Sequence, residues 1–139
     1  MKRKVYHWLM PENTYRVPIN LLLVKDHEAG IAWIEKHYRK RKEVDYSFIK
    51  KSAGGHFLWE GGNDETIVWI TDEDDITCLA HELNHYTIAV LEHRGVPINE
   101  ACSEAFTYLH QGVFIQALLC LGHRKIAGKS VQSAQEGEK

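Results

Sequence analysis

Several protein classes are excluded by what this chain has little of. Three cysteines in 139 residues are too few, and odd in number, for a disulfide framework. Cys78, Cys102 and Cys120 all fall where helices are expected, which suits buried thiols in a reducing, cytoplasmic setting, and none has the paired spacing of a zinc–thiolate site. Three prolines leave no room for a proline-rich linker. Charge of one sign is also missing: 17 Lys and Arg stand against 19 Asp and Glu, so no general electrostatic pull toward nucleic acid or an anionic membrane is expected. No apolar run approaches a membrane span, and the basic opening Lys2-Arg3-Lys4 lacks the apolar stretch of a secretory signal. The length suits a single core.

Histidine and glutamate are abundant, and they concentrate in one place. His81-Glu82-Leu83-Asn84-His85 reads H-E-x-x-H, a spacing that acquires chemical meaning on a helix, where residues four apart share a face. Two imidazoles one turn apart can chelate one zinc ion while the intervening Glu handles protons. The flanks predict that helix. Thr71-Asp72-Glu73-Asp74-Asp75 offers capping oxygens and negative charge at its start. Leu79, Ala80, Leu83, Tyr86 and Val90 then recur as one core-facing stripe. Thr77, His81, His85 and Ile88 form the neighbouring stripe, on the boundary between core and cleft. Gly95 and Val96-Pro97 are the stop.

Catalytic zinc takes three protein ligands and leaves one position for water, so a third ligand must come from elsewhere. Asn99 reads as the N-cap of a second helix that runs to Gly122. Glu100, Glu104, Tyr108 and Gln111 share one face of it. Two carboxylates on a helix that follows the H-E-x-x-H helix across a short Gly/Pro turn make both Glu104 and Glu100 candidate ligands.

With these residues in view, the segment from His81 to about Leu109 resembles the gluzincin branch of the zincin metallopeptidases. Eighteen residues separate His85 from Glu104, as in the aminopeptidase-like members, and Ser103-Glu104-Ala105-Phe106-Thr107-Tyr108 is similar to their ligand segment. The same stretch is similar to a segment of small metallopeptidase-like proteins of phages and prophages. Ile98-Asn99-Glu100-Ala101 resembles the thermolysin ligand segment, but lies too close to His85 for that family's spacing. The resemblance therefore implies zinc held by His81, His85 and Glu104, with Glu100 as an alternative ligand or one supporting it. Glu82 is implied as the base, and the substrate would be a peptide or protein. Candidate donors to the reaction's oxyanion are Tyr108, Tyr86 and His56.

Elsewhere the readings are coarser. Ile19 to Val24 reads as a buried strand, and His27 to about Arg41 as a helix capped by Asp26. Gly54-Gly55 and Gly61-Gly62 bracket one arm of a hairpin whose other arm is Thr66–Ile70. By resemblance, Phe57, Leu58 and Trp59 would form the sheet edge along which a peptide lies. Trp69 is expected in the core. The basic run Lys36 to Lys42 reads as a solvated helix end, with contact to nucleic acid as the minor alternative. These elements predict an α+β, minimal zincin-like domain over 1–122, a small twisted sheet packed with helices, and a polar, frayed tail over 123–139. Three functions are compatible with this layout: a zinc peptidase, a zinc-bearing but idle binding or assembly module, and a protein that associates with nucleic acid through the basic run.

Overall fold

The computed structural model describes residues 2–38, 46–59 and 65–128. Among these residues, four strands and three long α-helices follow one another as β1 (Val5–Met10), β2 (Ile19–Val24), α1 (His27–His37), β3 (Gly55–Leu58), β4 (Thr66–Ile70), α2 (Ile76–His93) and α3 (Ser103–Cys120). The sheet order is β1-β2-β4-β3. β2 and β4 pair in parallel at its centre, and β1 and β3 close the two edges in antiparallel pairing. This is an α+β domain of three layers, with α1 on one face of the sheet and α2 and α3 on the other.

The apolar runs in β2 and β4 follow from that layering, because a central strand covered on both faces has no solvent side to make polar. Ile19, Leu21 and Leu23 pack with Val68 and Ile70 against Leu79, Leu83, Tyr86 and Val90 of α2 and Val113 and Ala117 of α3. Leu22 and Val24 pack with Ile67 and Trp69 against Ile34 of α1. The one polar residue in β2, Asn20, is 4% exposed. Its amide donates to Glu65 Oε2 at 2.9 Å and to the Thr66 carbonyl at 3.1 Å, and its Oδ1 accepts from His7 Nε2 at 2.8 Å. Asn20→Leu leaves those partners unmet, so we expect a loss of about 1–3 kcal/mol in urea unfolding.

α1 approaches the sheet through a glycine. A Cβ on Gly30 would lie 2.4 Å from Trp69 Cη2 and 2.6 Å from Val24 Cγ1. Helix propensity favours Gly30→Ala by about 1 kcal/mol, but over-packing against a fully buried indole costs roughly 1–3 kcal/mol. A net fall in the thermal midpoint is the expected outcome.

The helix signals are realised in detail. The Asp26 side chain accepts from Ala29 N at 3.1 Å, and that bond holds its carboxyl below the usual range. Asp75 caps α2 through Cys78 N at 2.9 Å. Gly95 (φ +71) and Gly122 (φ +87) terminate α2 and α3 in the left-handed conformation. In both, the next residue reaches back: Val96 N donates to Leu91 O at 2.9 Å and His123 N to Leu118 O at 2.8 Å, satisfying carbonyls the helix leaves unpaired.

Four expectations are corrected. β1 was not anticipated; Val5-Tyr6-His7-Trp8-Leu9-Met10 before Pro11-Glu12-Asn13 carried the β-rich, turn-bounded signal. α1 stops at His37, with Tyr38 as its C-cap, short of Arg41, and the remainder of the basic run from Arg39 lies outside the described residues. The second helix opens as a 3-10 turn over Glu100–Cys102, capped by Asn99, before α3 begins at Ser103. Residues 123–128 are not tail: they contain a helical turn, Ala127 is buried in the core, and the His123 ring donates to the Glu73 carbonyl at 2.6 Å. Residues 129–139 lie outside the described residues. No helix among those described is long and apolar enough to cross a membrane.

Candidate metal centre on helix α2

α2 is held between two neighbours. On one flank is β3: the Phe57 ring meets Tyr86 edge-on at 6.2 Å, and Trp59 meets His93 at 5.1 Å. On the other is α3, whose His110 ring donates to the Ala80 carbonyl at 3.3 Å. His123 reaches back to Glu73 beyond the opposite end, so α2 and α3 run antiparallel. The sheet takes the stripe Leu79, Leu83, Tyr86 and Val90, all at most 1% exposed. The side of α2 turned away from the sheet is left to Thr77, His81 and His85, which are exposed.

There the two histidines meet. Their Nε2 atoms stand 3.0 Å apart, with the rings edge-to-face at a centroid distance of 4.7 Å. One neutral ring can donate to the other, or both can turn lone pairs toward a shared cation. Zinc bonds of about 2.0–2.1 Å place two nitrogens roughly 3.3 Å apart at a tetrahedral angle, close to the spacing found. In spacing alone, the two imidazoles match a pair that shares one cation.

Glu82 occupies a different environment from its neighbours. It is 6% exposed and turns toward β3, where its Cγ and Oε1 approach Gly55. Burial raises the proton affinity of its carboxyl, and the adjacent His81 and His85 partly offset that rise. A carboxylate whose proton affinity is raised, beside a pair of metal-type ligands, suits proton transfer at neutral pH. His56, on β3, feels His85 as well: burial first, and His85 second, lower its pKa.

The other expected residues divide by position. Glu104 is exposed in the first turn of α3, on the side away from the buried stripe Leu109, Val113 and Ala117. Among the described residues, however, no three His, Cys, Asp or Glu side chains converge on one point, so Glu104 does not close on the histidines in this side-chain arrangement. Glu100 is exposed in the 3-10 turn.

Two suggested oxyanion donors face elsewhere. Tyr86 is fully buried and donates to the Val17 carbonyl at 2.7 Å, and burial pushes its phenol well up. Tyr108, 56% exposed, lines a cavity of about 410 Å³ between residues 11–15 and the flank of α3 carrying Ala105, Gly112 and Gln116. That flank is opposite the one His110 presents to α2. The cavity contains none of the chemistry gathered at His81, Glu82 and His85.

Of the substrate-edge residues, Phe57 and Leu58 lie on edge strand β3 and Trp59 directly follows it. Phe57 is turned into the core beside α2 and Leu58 into the core beside α1. Sequence reasoning missed Gly55 and Cys78. Gly54-Gly55 signals a turn, and nothing in its composition shows that one of the two lies against Glu82. No family model matches the chain, and it matches neither a curated protein nor a solved structure.

Proposed function

We propose that the chain is a zinc-dependent hydrolase of peptide bonds, with His81 and His85 as metal ligands and Glu82 as the base. The observation that carries this reading is the 3.0 Å separation of the two Nε2 atoms, combined with a buried carboxylate on the residue between them. Glu104 is the proposed third ligand, on its spacing from His85 in the sequence: it is exposed, so a change of rotamer moves its carboxylate with no buried contact to break. Glu100 is the alternative. Bound zinc supplies a Lewis acid and a water of lowered pKa.

The remaining chemistry belongs to the chain's own residues. Glu82 takes the proton of the attacking water at its carboxylate and hands it to the leaving amine, a role helped by the raised proton affinity that burial imposes. β3 is a sheet edge beside the same helix, so its backbone can hold an extended peptide as an added strand, which gives binding that tolerates many sequences. None of the three suggested oxyanion donors faces the histidine pair: Tyr86 and Tyr108 face elsewhere, and His56 pairs with Trp69 on the sheet face that α1 covers, with its ring against Phe48.

The test is to load purified protein with zinc, determine the metal content and the coordinating residues by X-ray absorption, and assay a fluorescence-quenched peptide library. One zinc per chain with two imidazole ligands, together with cleavage that a chelator abolishes, is the expected result. A protein that takes up no zinc rejects the reading.

A further inference from the structure

Gly55 is the first residue of β3 and passes directly over Glu82. A Cβ built on it would lie 2.7 Å from Cys78 Sγ, 2.8 Å from Glu82 Cγ and 3.1 Å from Glu82 Oε1. Real side chains do not tolerate the first two distances. Its backbone is not in the left-handed region, which among the described glycines is occupied by Gly95 and Gly122. Conformation therefore does not demand a glycine at this position; space does. The neighbouring Gly54 makes the contrast: a Cβ there would meet only Cys78 Sγ, at an ordinary 3.6 Å.

Cys78 and Glu82 are four residues apart on α2, so they share the face that β3 covers. The bare Cα of Gly55 lets the strand close on both side chains. Glu82 is thereby confined from above by backbone, which cannot rotate away as a side chain can, and along the helix by the Cys78 thiol. Its neighbours His81 and His85 point to solvent from the adjacent stripe. The carboxylate is thus held on the buried face of α2, beside the stripe that carries His81 and His85.

We propose that Gly55 is a positioning residue for the reaction: the absent Cβ is what holds Glu82 where its carboxylate can serve a water bound between His81 and His85. This rests on the proposed hydrolase reading for its catalytic consequence, but the steric part stands without it. Any side chain at position 55 displaces Glu82, Cys78 or the strand itself.

The experiment compares Gly55→Ala with Gly54→Ala, each in the parent and in a Cys78→Ala/Glu82→Ala background. In the zinc-loaded parent, Gly55→Ala is expected to lower kcat on the best-cleaved library peptide by about 10- to 100-fold, the penalty of moving a catalytic group by an ångström. KM and zinc content should be unchanged, and Gly54→Ala should leave kcat unchanged. In thermal melts of the metal-free protein, Gly55→Ala should lower the midpoint by roughly 3 °C or more, and this loss should vanish in the Cys78→Ala/Glu82→Ala background, where both obstructing side chains are gone. Parental kcat in Gly55→Ala overturns the positioning role. An undiminished melting loss in the double background overturns the steric claim. If the parent cleaves nothing, the hydrolase reading fails and the positioning role with it, while the melting cycle alone decides whether Gly55 confines Glu82.

Discussion

Glu82→Gln is expected to retain zinc and to lose peptide hydrolysis by about 10²–10⁴-fold, the range that removal of a general acid–base group produces. Gln preserves the shape that fits beneath Gly55 and leaves His81 and His85 in place, so the metal site survives while the proton acceptor is gone. The same substitution has a signature in stability that needs no substrate. Burial raises the folded-state pKa of Glu82 above its unfolded value, so the folded protein binds this proton more tightly than the unfolded chain does. The associated stability is intact below the ordinary carboxylate range, about pH 4.3, and is lost as pH rises through the folded value. Gln carries no such titration. Metal-free Glu82→Gln should therefore melt above the parent at pH 8, with the gap closing as the pH is lowered toward 4. A gap that does not change with pH would show that the carboxylate is not ionising against burial. Equal turnover in the zinc-loaded proteins would remove Glu82 from the chemistry.

The second large effect concerns the metal. At zinc concentrations near one hundred times the dissociation constant, binding to the folded state alone stabilises a protein by about 2.7 kcal/mol, or roughly 10 °C in a domain of this size. His81→Ala and His85→Ala should each abolish that zinc-induced rise, because neither leaves two ligands on the helix. Both side chains are exposed, so the metal-free midpoints should lie near that of the parent, which separates loss of metal from loss of fold. Glu104→Ala and Glu100→Ala then identify the third ligand. If Glu104 closes on the metal, its removal weakens zinc binding by tenfold or more while Glu100→Ala does not. The reverse pattern would assign the site to the 3-10 turn. An unchanged zinc response in both histidine variants would show that the 3.0 Å approach is a contact between rings and no more.

Periodicity and punctuation made the helix pair legible before any coordinates. Leu79, Leu83, Tyr86 and Val90 repeat at helical spacing because one stripe of α2 must lie on a sheet. Asp75, Asn99, Gly95 and Gly122 mark the ends because unpaired backbone groups need side-chain oxygens or a left-handed residue. The strand Ile19–Val24 was legible from apolar composition alone. β1 was missed because its half-exposed residues alternate too weakly, and its identity depends on pairing with β2 over Val5↔Val24 to Met10↔Ile19. The frayed-tail reading failed at Ala127 for a related reason: in a short stretch whose apolar residues are Ile126 and Ala127, nothing in the sequence shows that the smaller of the two is the one the core takes in.

What the amino-acid order determined by itself is local: which turn of which helix carries His81, Glu82 and His85, and that these three share adjoining stripes. Helix geometry is set by neighbours within four residues, so the spacing H-E-x-x-H suffices to bring the two Nε2 atoms together. Tertiary structure alone decided everything that depends on residues distant in the chain. It covered Glu82 with Gly55, 27 positions away, and so buried a carboxylate that is next to one exposed histidine and three residues from the other. It turned Tyr86 and Tyr108 away from them. Burial and convergence depend on how elements pack on the sheet, and that packing is shared among side chains from the whole chain and encoded in no single stretch of it.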